Sequence, residues 1–267
     1  FAVVVSLLMI GFQMITVFGV KETQTFKEEE KTSFRELGKV LFQNDQLLWT
    51  AISMALFMIG YSTTTSFGTY YFKYAYGDEG MYSVFAAVLG VSQLTALVLF
   101  PKISAKFSRG KLYAAATALV VAGYAVFFFA PVNMIPIAVA GVLLFVGQAF
   151  IQTLMLMFLA DTIEYGQWKL GKRNESVTFS IQPFINKIGG ALSTAVVSLT
   201  LILSGIKIDG GTVDTIDTAG KLMMKVSMFA LPLVFIVAGY IIYLKKYKIS
   251  ETFYGEILRD LEEREKV

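Results

Sequence analysis

The sequence predicts an all-α fold, a polytopic membrane protein whose helices cross the bilayer one after another. Two observations point there. Of the 267 residues 55% are hydrophobic and 16% charged, with a mean hydropathy of +0.63, well to the membrane side of ordinary globular chains. Seven stretches each supply roughly 20 predominantly apolar residues, the length that spans the hydrocarbon core. Lipid leaves the backbone no outside partners, so each stretch is expected to be a helix.

In chain order the runs are 1–20, 47–72, 81–101, 112–130, 134–160, 177–205 and 222–244. The first opens at Phe1 with no preceding methionine and no cleavable-signal pattern, so the chain is expected to be a fragment that begins within a transmembrane helix. The connection 21–46 is mixed in charge. Phe34, Leu37, Val40 and Leu41 fall near helical spacing there, which leaves open an amphipathic helix or a solvated spacer. Polar connections over 73–80, 102–111, 161–176 and 207–221, and the tight turn Pro131-Val132-Asn133, separate the remaining runs.

Alternate connections differ sharply in positive charge. Five Lys and Arg lie in 21–46, four in 102–111, three in 161–176 and six in 245–267, eighteen of the 23 in the chain. The intervening loops hold only Lys73, Lys207 and Lys221. The basic side is therefore expected to be cytoplasmic, and with it the C-terminus of a multi-pass protein of the cell membrane. The expected plan is one helix ending at the cytoplasm (1–20), a cytoplasmic linker (21–46), a six-helix bundle (47–244) and a cytoplasmic tail (245–267). It matches the second half of a twelve-helix carrier in which two six-helix bundles are joined by a long middle loop.

Composition also excludes. Cysteine and histidine are both absent, which removes disulfides, thiol chemistry and any triad that relies on a histidine base. The net charge of +3 is small and its basic residues are dispersed, so no nucleic-acid partner is expected. An enzyme is not expected either: Ser193 and Lys187 stand six residues apart, about 120° short of two turns, so one helix cannot present them as a dyad. No cofactor or metal site is expected.

Lys187 lies in the middle of the run Ser176–Ile206, which holds no other charge. An intramembrane charge costs at least about 2.5 kcal/mol and marks a functional site by default. Ten residues beyond Val177, it is expected about 15 Å into the membrane, near the midplane. Ser180, Phe184, Ala191, Thr194 and Ser198 share its face, a small and polar stripe suited to a water-lined cavity or to a structural ion pair with another bundle. The stretch DTIEYGQWKLGKRNES at 161–176 precedes it. Asp161 and Glu164 share a face if the helix continues, so that one arginine bridges both; the alternative is a solvated loop.

These residues carry a resemblance. The stretch 161–176, followed by Ser180, Gln182, Pro183, Lys187 and Gly189-Gly190-Ala191, together with Gln43-Asn44-Asp45-Gln46-Leu47, resembles the glycoside-pentoside-hexuronide:cation symporters of the major facilitator superfamily, and within them the lactose and galactoside permeases of Gram-positive bacteria. The similarity runs over the whole chain but represents the C-terminal half of that fold, with the last helix of the N-terminal bundle before it. It implies a Na⁺- or H⁺-coupled sugar symporter working by alternating access, with sugar, coupling cation, lipid bilayer and an N-terminal six-helix half as partners. It implies that Lys187 supports binding or coupling, that Glu175 matches a coupling carboxylate, and that Asp161, Glu164 and Arg173 form a cytoplasmic gate. The cation site is expected in the N-terminal half. Lys172 departs from relatives that carry histidine there, and the basic loop 101–111 resembles a degenerate form of a superfamily loop motif.

Sugar recognition needs hydroxyl and amide groups with aromatic faces. Tyr61–Tyr71, Gln148, Gln152, Gln182 and Asn186 offer them. The three glutamines serve either as sugar ligands or as helix-to-helix hydrogen bonds, and Tyr70, Tyr71, Tyr74 and Tyr76 are expected in an interfacial belt. A pentoside, glucuronide or lysolipid carrier on the same scaffold is the alternative, with a non-transporting half-length membrane partner as a third possibility.

Overall fold

The computed structural model describes residues 2–19, 34–206 and 216–265. Residue 20 of the expected first helix, 21–33 of the expected linker and 207–215 of the last connection lie outside the described residues. The chain divides into two units, Phe1–Leu37 and Gly38–Val267. The first contains Ala2–Gly19 (α1), an 18-residue, mostly apolar helix.

Phe34–Gln43 (α2) leads into the second unit, where Val40 and Leu41 pack against the core while Phe42 stays exposed. Asn44 then starts Asp45–Tyr70 (α3). Its Oδ1 accepts from the Leu47 N–H at 3.0 Å and its Nδ2 donates to the Thr162 carbonyl at 2.8 Å. An amide supplies both an acceptor and a donor, so one side chain caps α3 and ties it to a second helix.

Among the described residues, where Val3–Gly19 is a shorter apolar helix, six helices are long and apolar enough to cross a membrane. They are α3 with its π-helical continuation Tyr71–Tyr76, Met81–Ser104 (α4), Arg109–Phe129 (α5), Met134–Leu170 (α6), Glu175–Leu203 (α7), and the continuous span of Thr218–Lys225 (α8), a π-helical turn Val226–Ala230 and Leu231–Lys246 (α9). Glu251–Glu265 (α10) follows, with the Ser250 hydroxyl accepting from the Phe253 N–H at 3.1 Å as its cap. Four of the six apolar runs from 47–72 onward fall inside these helices, while 112–130 overruns α5 by one residue and 177–205 overruns α7 by two.

The boundary that moves is the end of α6. Polar residues after the run 134–160 leave open a connection or a continued helix, and the helix continues through Asp161, Glu164 and Lys169 to Leu170. At 37 residues it is about 55 Å long, nearly twice the hydrocarbon thickness, so its last turns project beyond the apolar layer. Gly171 ends it at φ 70, a left-handed conformation that favours glycine, and its N–H closes on the Gln167 carbonyl.

Within the second unit α3 packs on α7, α9 and α6, while α5 and α4 pack on α6. Lipid tails are as apolar as leucine, so helices gain by close packing rather than by leaving water. Gly239 of α9 is one such close approach. A Cβ there would lie 2.8 Å from the Ser53 carbonyl oxygen, and the Ser53 hydroxyl donates to the Gly239 carbonyl at 2.8 Å. Near one end of the bundle Tyr71, Phe72, Phe85, Phe127, Phe145 and Phe229 interlock, and near the other Tyr113, Phe158, Tyr240, Tyr243 and Tyr247 do. Tyr71 thereby departs from the expected interfacial belt. The π-helical turn carries it to 1% exposure inside the aromatic cluster, while Tyr70 remains 37% exposed.

Candidate functional site

The α4–α5 and α6–α7 connections and the chain after α9 meet at one end of the bundle, here the basic end. Asp161, buried on the projecting part of α6, accepts two hydrogen bonds from Arg109 Nη1 at 2.8 and 2.6 Å and one from the Tyr247 hydroxyl at 3.0 Å. Arg109 is the first residue of α5, and its backbone N–H donates to Glu251 Oε1 at 2.9 Å. The first residue of α10 thus places a carboxylate at the positive end of α5. Burial, reinforced by the Asp161 carboxylate, pushes the Tyr247 hydroxyl far above the usual tyrosine range, so it stays a donor. A cavity of about 650 Å³ opens beside Arg109, Asp161, Tyr243, Tyr247 and Glu251.

A second set of bonds joins the same end. Asp45 accepts from Lys169 Nζ at 2.5 Å and the Tyr165 hydroxyl at 2.9 Å, and Gln46 Oε1 accepts from the Lys248 N–H at 2.7 Å. Trp168 packs edge-on against Phe253, and its Nε1 donates to Asp260 at 2.9 Å, seating α10 on the end of α6. Arg173 reaches Glu164 and Glu175, both at 3.1 Å, across the α6–α7 turn. Asp161 and Glu164 are therefore held by different arginines. The spacing suggested one bridging arginine, but Asp161 turns inward to α5 while Glu164 stays on the turn side. Arg109, Tyr247 and Glu251 were not legible as partners, since 52 and 86 residues separate Arg109 and Tyr247 from Asp161.

The mid-depth residues divide by face. On α7, Ile181, Ile185, Gly189 and Ser193 are buried, whereas Ser180, Phe184, Lys187, Ala191 and Thr194 are exposed, and Ser198 is half-buried. The anticipated stripe is exposed from Ser180 to Thr194 and turns half-buried at Ser198. Lys187 forms no ion pair among the described residues. Ser193 lies on the opposite, buried side, with its hydroxyl donating to the Gly190 carbonyl at 2.9 Å, so no Ser–Lys dyad forms. Gln182 and Asn186 are half-buried, and Asn186 Oδ1 is enclosed without a partner.

Gln148 on α6 is fully enclosed. Its Nε2 lies 3.4 Å from the Tyr124 hydroxyl, which shares a 2.5 Å hydrogen bond with Thr64, while its Oε1 has no partner. Gln152, one turn on, is half-buried. On α3, Tyr61, Ser62 and Thr65 are half-buried and Ser66 is exposed; Ser66 meets Ser193 at 3.3 Å, and Tyr61 accepts from Gln93 of α4 at 3.2 Å. The result is a band of hydroxyls and amides with Lys187 as its one cation among the described residues. Among the described residues no group of His, Cys, Asp or Glu is placed to hold a metal ion. Such a band suits reversible hydrogen bonding to a polar, uncharged or anionic solute.

Comparison with known proteins adds to this geometry. The sequence model of the MFS/sugar transport protein family matches residues 1–251. The chain is similar to a lactose permease of Lactobacillus delbrueckii subsp. bulgaricus, 34% identical over 264 residues that make up 98% of the chain and 42% of that protein. It is similar to a raffinose carrier protein of Pediococcus pentosaceus, 34% identical over 88% of the chain and 36% of the relative. A glucuronide carrier protein homolog of Escherichia coli is 26% identical over 86% of the chain and 50% of its own length. The chain therefore spans half or less of the length of each of these relatives.

Proposed function

The chain belongs to the MFS/sugar transport protein family, and from that premise we propose that it forms the C-terminal six-helix part of a cation-coupled sugar symporter, working by alternating access on galactosides such as lactose. The observation that carries the proposal is Lys187, a cation at mid-depth on an exposed helix face with no ion-pair partner among the described residues, beside a band of hydroxyls and amides. In this reading the band faces an N-terminal six-helix half across a central cavity, and the Na⁺ or H⁺ site lies in that half. Residues 1–20 end its last helix and 21–46 link the halves. The basic end faces the cytoplasm by the excess of Lys and Arg there, which puts α10 inside the cell.

Roles follow from position. Lys187, Gln182, Asn186 and Gln152 are half-buried or exposed, and in this reading they line the cavity face and bind sugar or couple it to the cation. Gln148, enclosed behind them, supports the wall. Asp161, Glu164 and Arg173 form the cytoplasmic gate, and Glu175, held by Arg173, links it to the start of α7. A second reading rests on the same cation: an ammonium with no carboxylate partner among the described residues suits a carboxylate, so a hexuronide is the alternative cargo, in line with the similarity to a glucuronide carrier protein homolog.

The test is counterflow in proteoliposomes containing the intact carrier, with unlabelled sugar inside and labelled lactose, xyloside or glucuronide outside. Lactose exchange supports the galactoside reading. Exchange of glucuronide alone replaces it with the second reading, and no exchange of any sugar by folded protein rejects both.

A further inference from the structure

Two tyrosine–glutamine pairs stand at mid-depth, and they differ in exposure. In the pair Tyr124–Gln148 both side chains are at 1% exposure or less, and the Tyr124 hydroxyl is already engaged with Thr64. That pair is closed inside the helix packing. In the pair Tyr61–Gln93 both side chains are half-buried, joined by one hydrogen bond of 3.2 Å.

The hydrogen-bonding capacity of the open pair is mostly unspent. Gln93 has two N–H donors and a carbonyl oxygen, and the structure uses one N–H; Tyr61 accepts that bond, which leaves its own O–H to donate. Unspent donors in a low-dielectric setting are costly unless water or a solute satisfies them. On α4 Gln93 lies between the buried row Ser92, Ala96 and Phe100 and the exposed Leu97 one turn on, and about 180° around the helix from the exposed Val84. Tyr61 is held in place by its ring stacking on Phe57, 6.2 Å between centroids, and the neighbouring open positions of α3 are Ser62, Thr65 and Ser66.

We infer that Tyr61 and Gln93 recognise a sugar hydroxyl. A hydroxyl both donates and accepts, so it matches a phenol O–H beside an amide carbonyl, and the pair sets selectivity for a sugar that carries that hydroxyl. The inference rests on the sugar-carrier reading and assigns a recognition element to α3 and α4. A polar site built around a hydroxyl rejects the analogue lacking it far more strongly than an apolar pocket does.

The test couples protein and ligand deletions in the intact carrier. Half-saturation for counterflow is measured with lactose and with a series of monodeoxy-lactoses, for the wild type, Tyr61→Phe and Gln93→Leu. Tyr61→Phe keeps the ring stacking and removes one hydroxyl, so it carries the test even where Gln93→Leu does not fold. For one member of the series the wild type should prefer lactose by about tenfold or more, and the preference should fall to near unity in Tyr61→Phe. A purely structural hydrogen bond between helices would lower thermal stability and leave every deoxy preference intact, and that result overturns the inference. A wild type that exchanges no sugar rejects the carrier reading, and the inference with it.

Discussion

Asp161 and Arg109 meet head-on at the basic end, with both carboxylate oxygens of one within 2.8 Å of a single guanidinium nitrogen of the other. The side chains are 7% and 29% exposed, so the pair is more buried than a surface bridge.

Removing the cation should cost more than removing the anion's charge. Arg109→Gln strands a buried carboxylate, and losing one partner of a buried pair costs about 3–5 kcal/mol, with the lower end expected because Arg109 retains some solvent. Asp161→Asn keeps a group that accepts from Tyr247 and should cost less. Thermal unfolding of purified variants ranks them, and equal losses would contradict the asymmetry.

Lys187→Gln should leave insertion and thermal stability unchanged, because the side chain forms no ion pair among the described residues. In the intact carrier it should abolish or sharply reduce concentrative uptake. Normal accumulation by that variant would reject the role assigned to the cation.

Arg173→Gln should shift the inward–outward balance more than sugar affinity. The guanidinium is 46% exposed, so its pairs with Glu164 and Glu175 contribute at most about 1 kcal/mol to stability. A cysteine placed near the gate should become more reactive to a thiol probe from the basic side. Unchanged reactivity would count against the gate.

Gly239→Val should push α3 and α9 apart. Its Cβ has no room against the Ser53 carbonyl, overpacking of this kind costs about 1–3 kcal/mol, and the Ser53 hydrogen bond is strained as well. A lowered melting temperature with reduced amide protection along α9 is the expected result.

Whereas the first run, 1–20, gives a shorter apolar helix, the order of the six spans from residue 45 onward was legible because lipid enforces one rule on every apolar run. The end of α6 was not, because nothing local marks a polar helix that projects out of the bilayer; Asp161 and Lys169 are tolerated there through partners on α5 and α3. The same limit applied at the site. That Ser180, Phe184, Ala191 and Thr194 share a face with Lys187 followed from helical spacing, and the pairing of Arg173 with Glu164 and Glu175 involves residues close in sequence. Gln93 was missed because a lone amide in an apolar run gives no sign of the tyrosine it will meet. The fates of Gln148 and Tyr71 depended on neighbours from other helices, which periodicity does not report.

The unbroken length of α6 has a mechanical side. Gln148 and Asp161 ride on one stiff rod, 13 residues or about 20 Å apart, with no proline or π-helical turn between them. By simple leverage, a tilt of about 10° pivoting at Gln148 would swing Asp161 by more than about 3 Å, enough to part a carboxylate from a guanidinium. Small rearrangements in the interior are thus magnified at the surface, and the latch at Arg109 in turn resists them.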